Sequence, residues 1–95
     1  MNDDVLERAV TVLRGMAYEH RLRILVLLRG GELGPPEIAA AVPADPTAVA
    51  HHLRFLLDAR LIRRRRRGRQ VYYALTDDAT AHLVTEVVRY SGGER

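Results

Sequence analysis

Arg60-Leu-Ile-Arg-Arg-Arg-Arg-Arg-Gly-Arg69-Gln-Val-Tyr-Tyr-Ala-Leu75 is the stretch that decides the fold. Seven of the ten residues from Arg60 to Arg69 are arginine. Downstream, Val71, Tyr73 and Leu75 alternate with Tyr72 and Ala74, the period of a half-buried strand. Leu61 to Arg65 supplies a partner strand, and Gly68 lies at the polar tip between them. The segment from about 61 to 75 therefore predicts a β-hairpin. Its arginines have a planar, bidentate geometry that suits phosphate oxygens. A solvated charge run is the plainer reading. It is disfavoured because adjacent like charges repel and the hairpin itself carries no acid to pair with them.

Working upstream, Asp45-Pro46 starts a helix, with Asp45 as its cap and Pro46 at the first helical position, where a missing N–H costs nothing. This helix is expected over about 46–59. Val49, Leu53, Leu56 and Leu57 form its core stripe, while Thr47, Ala50, His51 and Arg54 fall on or near the other face. A short helix from about Pro35 to Ala41 precedes it and ends before Pro43. Another runs from about Glu19 to Arg29, with Leu22, Leu25, Val26 and Leu28 inward, and Gly30-Gly31 stops it. A first helix over about 3–14 is capped by Asp3 or Asp4, carries Val5, Leu6, Ala9, Val10 and Leu13 at helical spacing, and is loosened or ended at Gly15.

Downstream, Thr76 is the expected cap of a last helix over about 77–90, with Leu83, Val84, Val87 and Val88 as its apolar stripe; the tail Ser91-Gly-Gly-Glu-Arg95 should fray. The fold class is mainly α with a β-hairpin wing, in the order ααααββα. The short turn between the third and fourth helices makes this a winged helix-turn-helix, a single domain over residues 1–95, with the fourth helix placed to enter a major groove.

Bulk composition limits the alternatives. The chain has 95 residues, so it buries a modest core and gains from dimerising. All 15 basic residues are arginine, and the formal net charge is +3. The clustering of that charge says more than its sum. There is no cysteine, which excludes disulfides, thiolate metal sites and thiol redox switching. The acidic start lacks the pattern of a signal peptide, and no apolar run reaches the ~18–20 residues of a membrane span, so a cytoplasmic protein without membrane contact is expected. No nucleophile–base arrangement or phosphate-binding glycine loop is visible, so no enzyme is expected.

Four segments carry a resemblance: Arg21-Leu-Arg-Ile-Leu25, Glu32-Leu33 with Glu37-Ile38, Val49-Ala-His-His-Leu53, and Gly68-Arg-Gln-Val-Tyr-Tyr-Ala-Leu75. In this order the chain resembles the ArsR/SmtB family of winged-helix transcriptional regulators. The resemblance implies a homodimer formed through the first and last helices, palindromic operator DNA, and often control by a metal ion. The sequence also departs from the family. Its cysteine metal site would fall at Gly34 and Pro36, and the recognition helix opens with Pro46-Thr-Ala-Val-Ala50, which leaves few side chains to read bases.

The expected DNA contacts are Thr47, His51 and Arg54 from the helix, and Arg64, Arg66, Arg67 and Arg69 from the wing. His52 should be packed. The expected dimer contacts are Val5, Leu6, Val10 and Leu13 with Leu83, Val84, Val87 and Val88. Asp78, His82 and Glu86 share one helical face, and their donors suit nickel or zinc as an effector. An ordinary exposed polar face is the competing reading. His20 with Glu19 is a further candidate if the second helix lies close. Two rival functions stay open: a subunit with weak DNA reading of its own, whose specificity or ligand response comes from a partner protein, and a non-specific nucleoid or RNA binder.

Overall fold

Asn2, rather than Asp3 or Asp4, caps the first helix: its side-chain oxygen accepts from the Val5 N–H at 2.9 Å. The two aspartates instead lie in the first turn, where they complement the helix dipole. In the computed structural model, which describes residues 1–93, the elements are α1 Asp3–Met16, α2 Glu19–Leu28, α3 Pro35–Ala41, α4 Pro46–Asp58, β1 Ile62–Arg67, β2 Gln70–Leu75 and α5 Asp78–Tyr90. The order is that of a winged helix-turn-helix.

α1 does not stop at Gly15. The glycine sits inside the helix because a Cβ there would lie 2.5 Å from Cδ1 of Leu61. A close approach, not a break, explains the residue. The inward side of α1 is Val12, Gly15 and Met16. Val5, Leu6, Val10 and Leu13 stay exposed.

The core gathers Ile24, Leu25 and Leu28 of α2, Ile38 of α3, Val49, Leu53 and Leu56 of α4, Leu61, Ile62, Leu75 and Val84. Leu22, Val26 and Leu57, expected on the buried faces, are only partly covered. In α2 the buried side includes Arg21 instead, 8% exposed. Its guanidinium lies between the rings of Tyr18, at 4.1 Å, and Phe55, at 4.0 Å, and donates to the Arg14 carbonyl at 2.7 Å. That carbonyl is in the last turn of α1, the negative end of its dipole. Arg21 thus ties three helices together through stacking and one charge-assisted bond.

α4 ends in a left-handed residue, Arg60, with φ at 61°. The Leu61 N–H reaches back to the Leu56 carbonyl and the Arg60 N–H to that of Leu57, both at 3.0 Å. This reversal, usually built on glycine, throws the chain into β1. Thr76 does not cap α5. Its hydroxyl donates to the Arg60 carbonyl at 2.7 Å, closing the base of the hairpin. Asp77 is the cap, accepting from the Thr80 N–H and hydroxyl, both at 2.8 Å. These bonds, more than the nearby Arg63, hold its carboxyl below the usual range.

Gly92 takes φ 87°, its N–H bonds to the Arg89 carbonyl, and that of Gly93 bonds to Val88, so α5 ends in a Schellman turn. Glu94 and Arg95, the remainder of the expected frayed tail, lie outside the described residues. Among the described residues no helix is long and apolar enough to cross a membrane.

Candidate nucleic-acid interface

Asp45 Oδ1 accepts from the Ala48 N–H at 2.9 Å and starts α4 just after the turn that follows α3. Burying Val49, Leu53 and Leu56 turns the opposite face outward. Thr47, Ala50, His51 and Arg54 are all exposed there and line one shallow concavity, as their spacing predicts. Arg54 is held only loosely, at 3.7 Å from Asp58 with both side chains in solvent.

His52 points the other way. Its ring is 5.7 Å from that of His20 on α2. Burial, then Arg21, His20 and His51, lowers its pKa below the ordinary histidine value. His20 therefore belongs to the α2–α4 contact and not to a site on the last helix.

β1 and β2 pair in a continuous antiparallel register from Ile62↔Leu75 to Arg67↔Gln70. Gly68 fills the first position of the two-residue turn at φ 60°, where other residues are strained. Ile62 is buried at the base, and the five arginines after it are exposed. Strand alternation puts Arg64 and Arg66 on the face of Val71 and Tyr73, and Arg63, Arg65 and Arg67 on the face of Tyr72 and Ala74. Arg64 and Tyr73 share a groove with Pro35, Ala39, Leu57 and Arg54 of the helix-turn-helix. The groove is otherwise lined by apolar residues and Tyr73, and it brings Arg54 of α4 and Arg64 of the wing to one depression. Arg66 bonds its Nε to the Gly68 carbonyl at 3.2 Å, and Arg69 is exposed at the tip.

The arginines are not without acids. Arg67 forms an ion pair with Glu32 and lies over the Tyr72 ring at 5.3 Å. Arg63 faces a recess that also contains Glu32, Asp77 and Asp78. Glu32 comes from a distant part of the chain, whereas Asp77 and Asp78 follow directly on the hairpin. Leu33 brings the first one in by exchanging backbone hydrogen bonds with Tyr73 at 2.9 and 2.8 Å, an isolated bridge on the outer edge of the hairpin. No local pattern announces that bridge.

The remaining expected residues divide. Leu83 is exposed on α5. Val84 is not available to a partner, because it is fully buried in the core of its own protomer, and Val87 packs against that core. Val88 is half-buried. The apolar stripe of α5 thus serves the fold first. Asp78, His82 and Glu86 are all exposed, and Glu86 pairs with Arg89 at 2.9 Å. Among the described residues no three histidines or acids converge on a point that a metal ion would occupy.

The profile of the arsR family of bacterial regulatory proteins matches residues 19–64. The chain is 37% identical over 87 residues to a transcriptional repressor SmtB homolog of Synechocystis, covering 92% of this chain and 66% of the relative. It is 32% identical over 91 residues to the HTH-type transcriptional regulator NmtR of Mycobacterium tuberculosis, covering 96% of this chain and 76% of that one. The chain belongs to the ArsR family. A solved neighbour, the homodimeric winged helix-turn-helix DNA-binding domain of a Mycobacterium bovis protein described as a possible ArsR-family transcriptional regulator, superposes with a TM-score of 0.87 at 28% identity, covering 97% of this chain and 88% of the neighbour. The α3–α4 unit of this ArsR-family chain is thus its helix-turn-helix, α4 the second helix of that unit, and the hairpin its wing. The chain spans about two thirds of the length of the first relative, whose own activity is that of a repressor and not of an enzyme.

Proposed function

We propose that this ArsR-family chain is a homodimeric transcriptional regulator of the cytoplasm that binds an operator in double-stranded DNA. α4 lies in the major groove with Thr47, His51 and Arg54 toward the bases, and the wing arginines hold the backbone. The observation that carries the reading is the groove shared by Arg54 and Arg64, which makes the helix face and the wing one continuous surface. Phosphate contacts from the wing supply affinity and register, while the helix supplies choice. Dimerisation is supported by the uncovered apolar face of Val5, Leu6, Val10 and Leu13 on α1 and by the exposed Leu83 on α5.

Control by nickel or zinc belongs to the same reading. The donors Asp78, His82 and Glu86 fit these ions in kind, but one protomer does not gather them, so a site needs both copies across the twofold axis. The ligand would act by favouring one spacing of the two reading heads over another.

The test is fluorescence-anisotropy binding to the DNA upstream of the protein's own gene, with random DNA as competitor, in chelator and then with added nickel or zinc. Specific binding supports the regulator. A ratio of specific to random affinity near one at ~150 mM salt refutes it and favours a non-specific binder. Specificity restored only by a partner protein favours the subunit reading, which the sparse start of α4 makes worth testing. No metal response, together with equal nickel affinity for wild type and His82→Ala by calorimetry, removes the α5 site.

A further inference from the structure

We infer that Glu32 is a positioning residue of the wing: it draws Arg67 back onto the hairpin, so Arg67 braces the wing and is not one of its phosphate ligands. The inference rests on the DNA-binding reading above and gives Arg67 a different role from the phosphate contact expected of it from the sequence.

Arg67 pairs with Gln70, the last rung before the turn. From that position a free arginine would extend past the tip with Arg69. Glu32 is anchored elsewhere. It precedes Leu33, which is locked to Tyr73 by two backbone hydrogen bonds, so its carboxylate lies along the lower half of the hairpin. The Arg67 guanidinium closes the gap by lying back across the Tyr72 ring, 5.3 Å from its centre, to reach Glu32. Two groups from separate segments, the Glu32 carboxylate and the Tyr72 ring, thus hold one side chain.

Burial favours the pair over release. The Glu32 side chain is 22% exposed, against 58% for Arg67. A carboxylate partly removed from water is stabilised by the guanidinium that lies against it. Among the described residues Arg66 and Arg69 form no ion pair, and Arg66 donates to the carbonyl of Gly68. The wing arginines therefore split by role. Those at the tip are left for phosphate. Arg67 ties the hairpin to the loop that leads into α3, and so fixes the wing relative to the helix-turn-helix.

The experiment is the salt dependence of binding by the intact chain to its specific DNA, read as the slope of log affinity against log salt. Each phosphate contact contributes ~0.9 to the slope, so one residue per protomer counts as about 1.8 for a dimer. Arg69→Gln should flatten the slope by about that amount. Arg67→Gln should leave the slope unchanged while lowering the ratio of specific to random affinity. Glu32→Gln should steepen the slope by about 1.8, because the released Arg67 acquires a phosphate. Between ~50 and ~200 mM salt, that is about a tenfold greater loss of affinity than in wild type. The double variant Glu32→Gln/Arg67→Gln should return to the wild-type slope.

Thermal melts and amide exchange at Leu33 and Tyr73 confirm that the bridge persists in each variant. A flatter slope for Arg67→Gln with Glu32 intact overturns the inference, and so does a Glu32→Gln slope equal to wild type. A wild-type slope near zero, unchanged in Arg69→Gln, would instead remove the DNA-binding reading and this inference with it.

Discussion

Replacing Leu13 by alanine should separate dimerisation from folding. Leu13 is 60% exposed in the protomer, the most open leucine of α1, while the neighbouring Met16 is buried. Burying a whole leucine side chain is worth about 2 kcal/mol. The share still open to burial then amounts to about 1.2 kcal/mol per protomer. A twofold interface uses the same residue from each side, so the dimer loses about 2.4 kcal/mol. At 1.4 kcal/mol per factor of ten, the dimer should dissociate about 50-fold more readily.

Sedimentation equilibrium over a concentration series measures this directly. The melting temperature should become more dependent on concentration, since dissociation is now linked to unfolding. Helicity at high protein concentration should be unchanged, because Leu13 gives the protomer little. An unchanged dissociation constant would refute the reasoning. So would a melting temperature that falls equally at every concentration, which would place Leu13 in the protomer core.

Three further outcomes follow from single residues. Gly15→Ala should lower stability by about 1 kcal/mol, because overpacking against Leu61 outweighs the helix propensity gained; a melt lower by about 4–8 °C fits, and a higher one does not. Arg60→Gly should raise the melting temperature by about 2–4 °C, since relief of the left-handed backbone, about 1 kcal/mol, exceeds the added freedom of the unfolded chain; no rise would show that Arg60 is unstrained. His52 titrates below its unfolded value of 6.5, so the unfolded chain binds more protons there, and stability should fall as pH drops through 6.5 toward the lower folded pKa. His52→Gln should flatten that part of the urea-stability profile, and an acid limb identical to wild type would dismiss the histidine.

The helices and the wing were legible because their signals are local. Asp45-Pro46 and Pro35-Pro36 mark helix starts, and the observed α4 and α3 begin at those prolines. The period of Val71 to Leu75 marks a strand, and it pairs as expected. The exposed face of α4 was readable for the same reason: Thr47, His51 and Arg54 are set opposite Val49, Leu53 and Leu56 by helical geometry alone. Gly15 was misread, since a glycine in a helix looks like a break until the side chain packed against it is known. Arg21 was missed because a guanidinium becomes buried only where aromatic rings and a carbonyl from other helices converge on it.

Periodicity, capping residues and the arginine run determined the order of elements, the helix that faces outward and the cationic character of the wing. These depend on residues a few positions apart, so the chain carries them wherever it packs. Tertiary structure decided how each amphipathic surface is spent. It sent Val84 into the protomer core and left Leu13 open, although both belong to apolar stripes of the same kind. It also set Glu32 against Arg67, two residues with no local relation, through a bridge between Leu33 and Tyr73. A periodic pattern shows that a face is apolar or charged, but its partner is chosen only when distant segments meet.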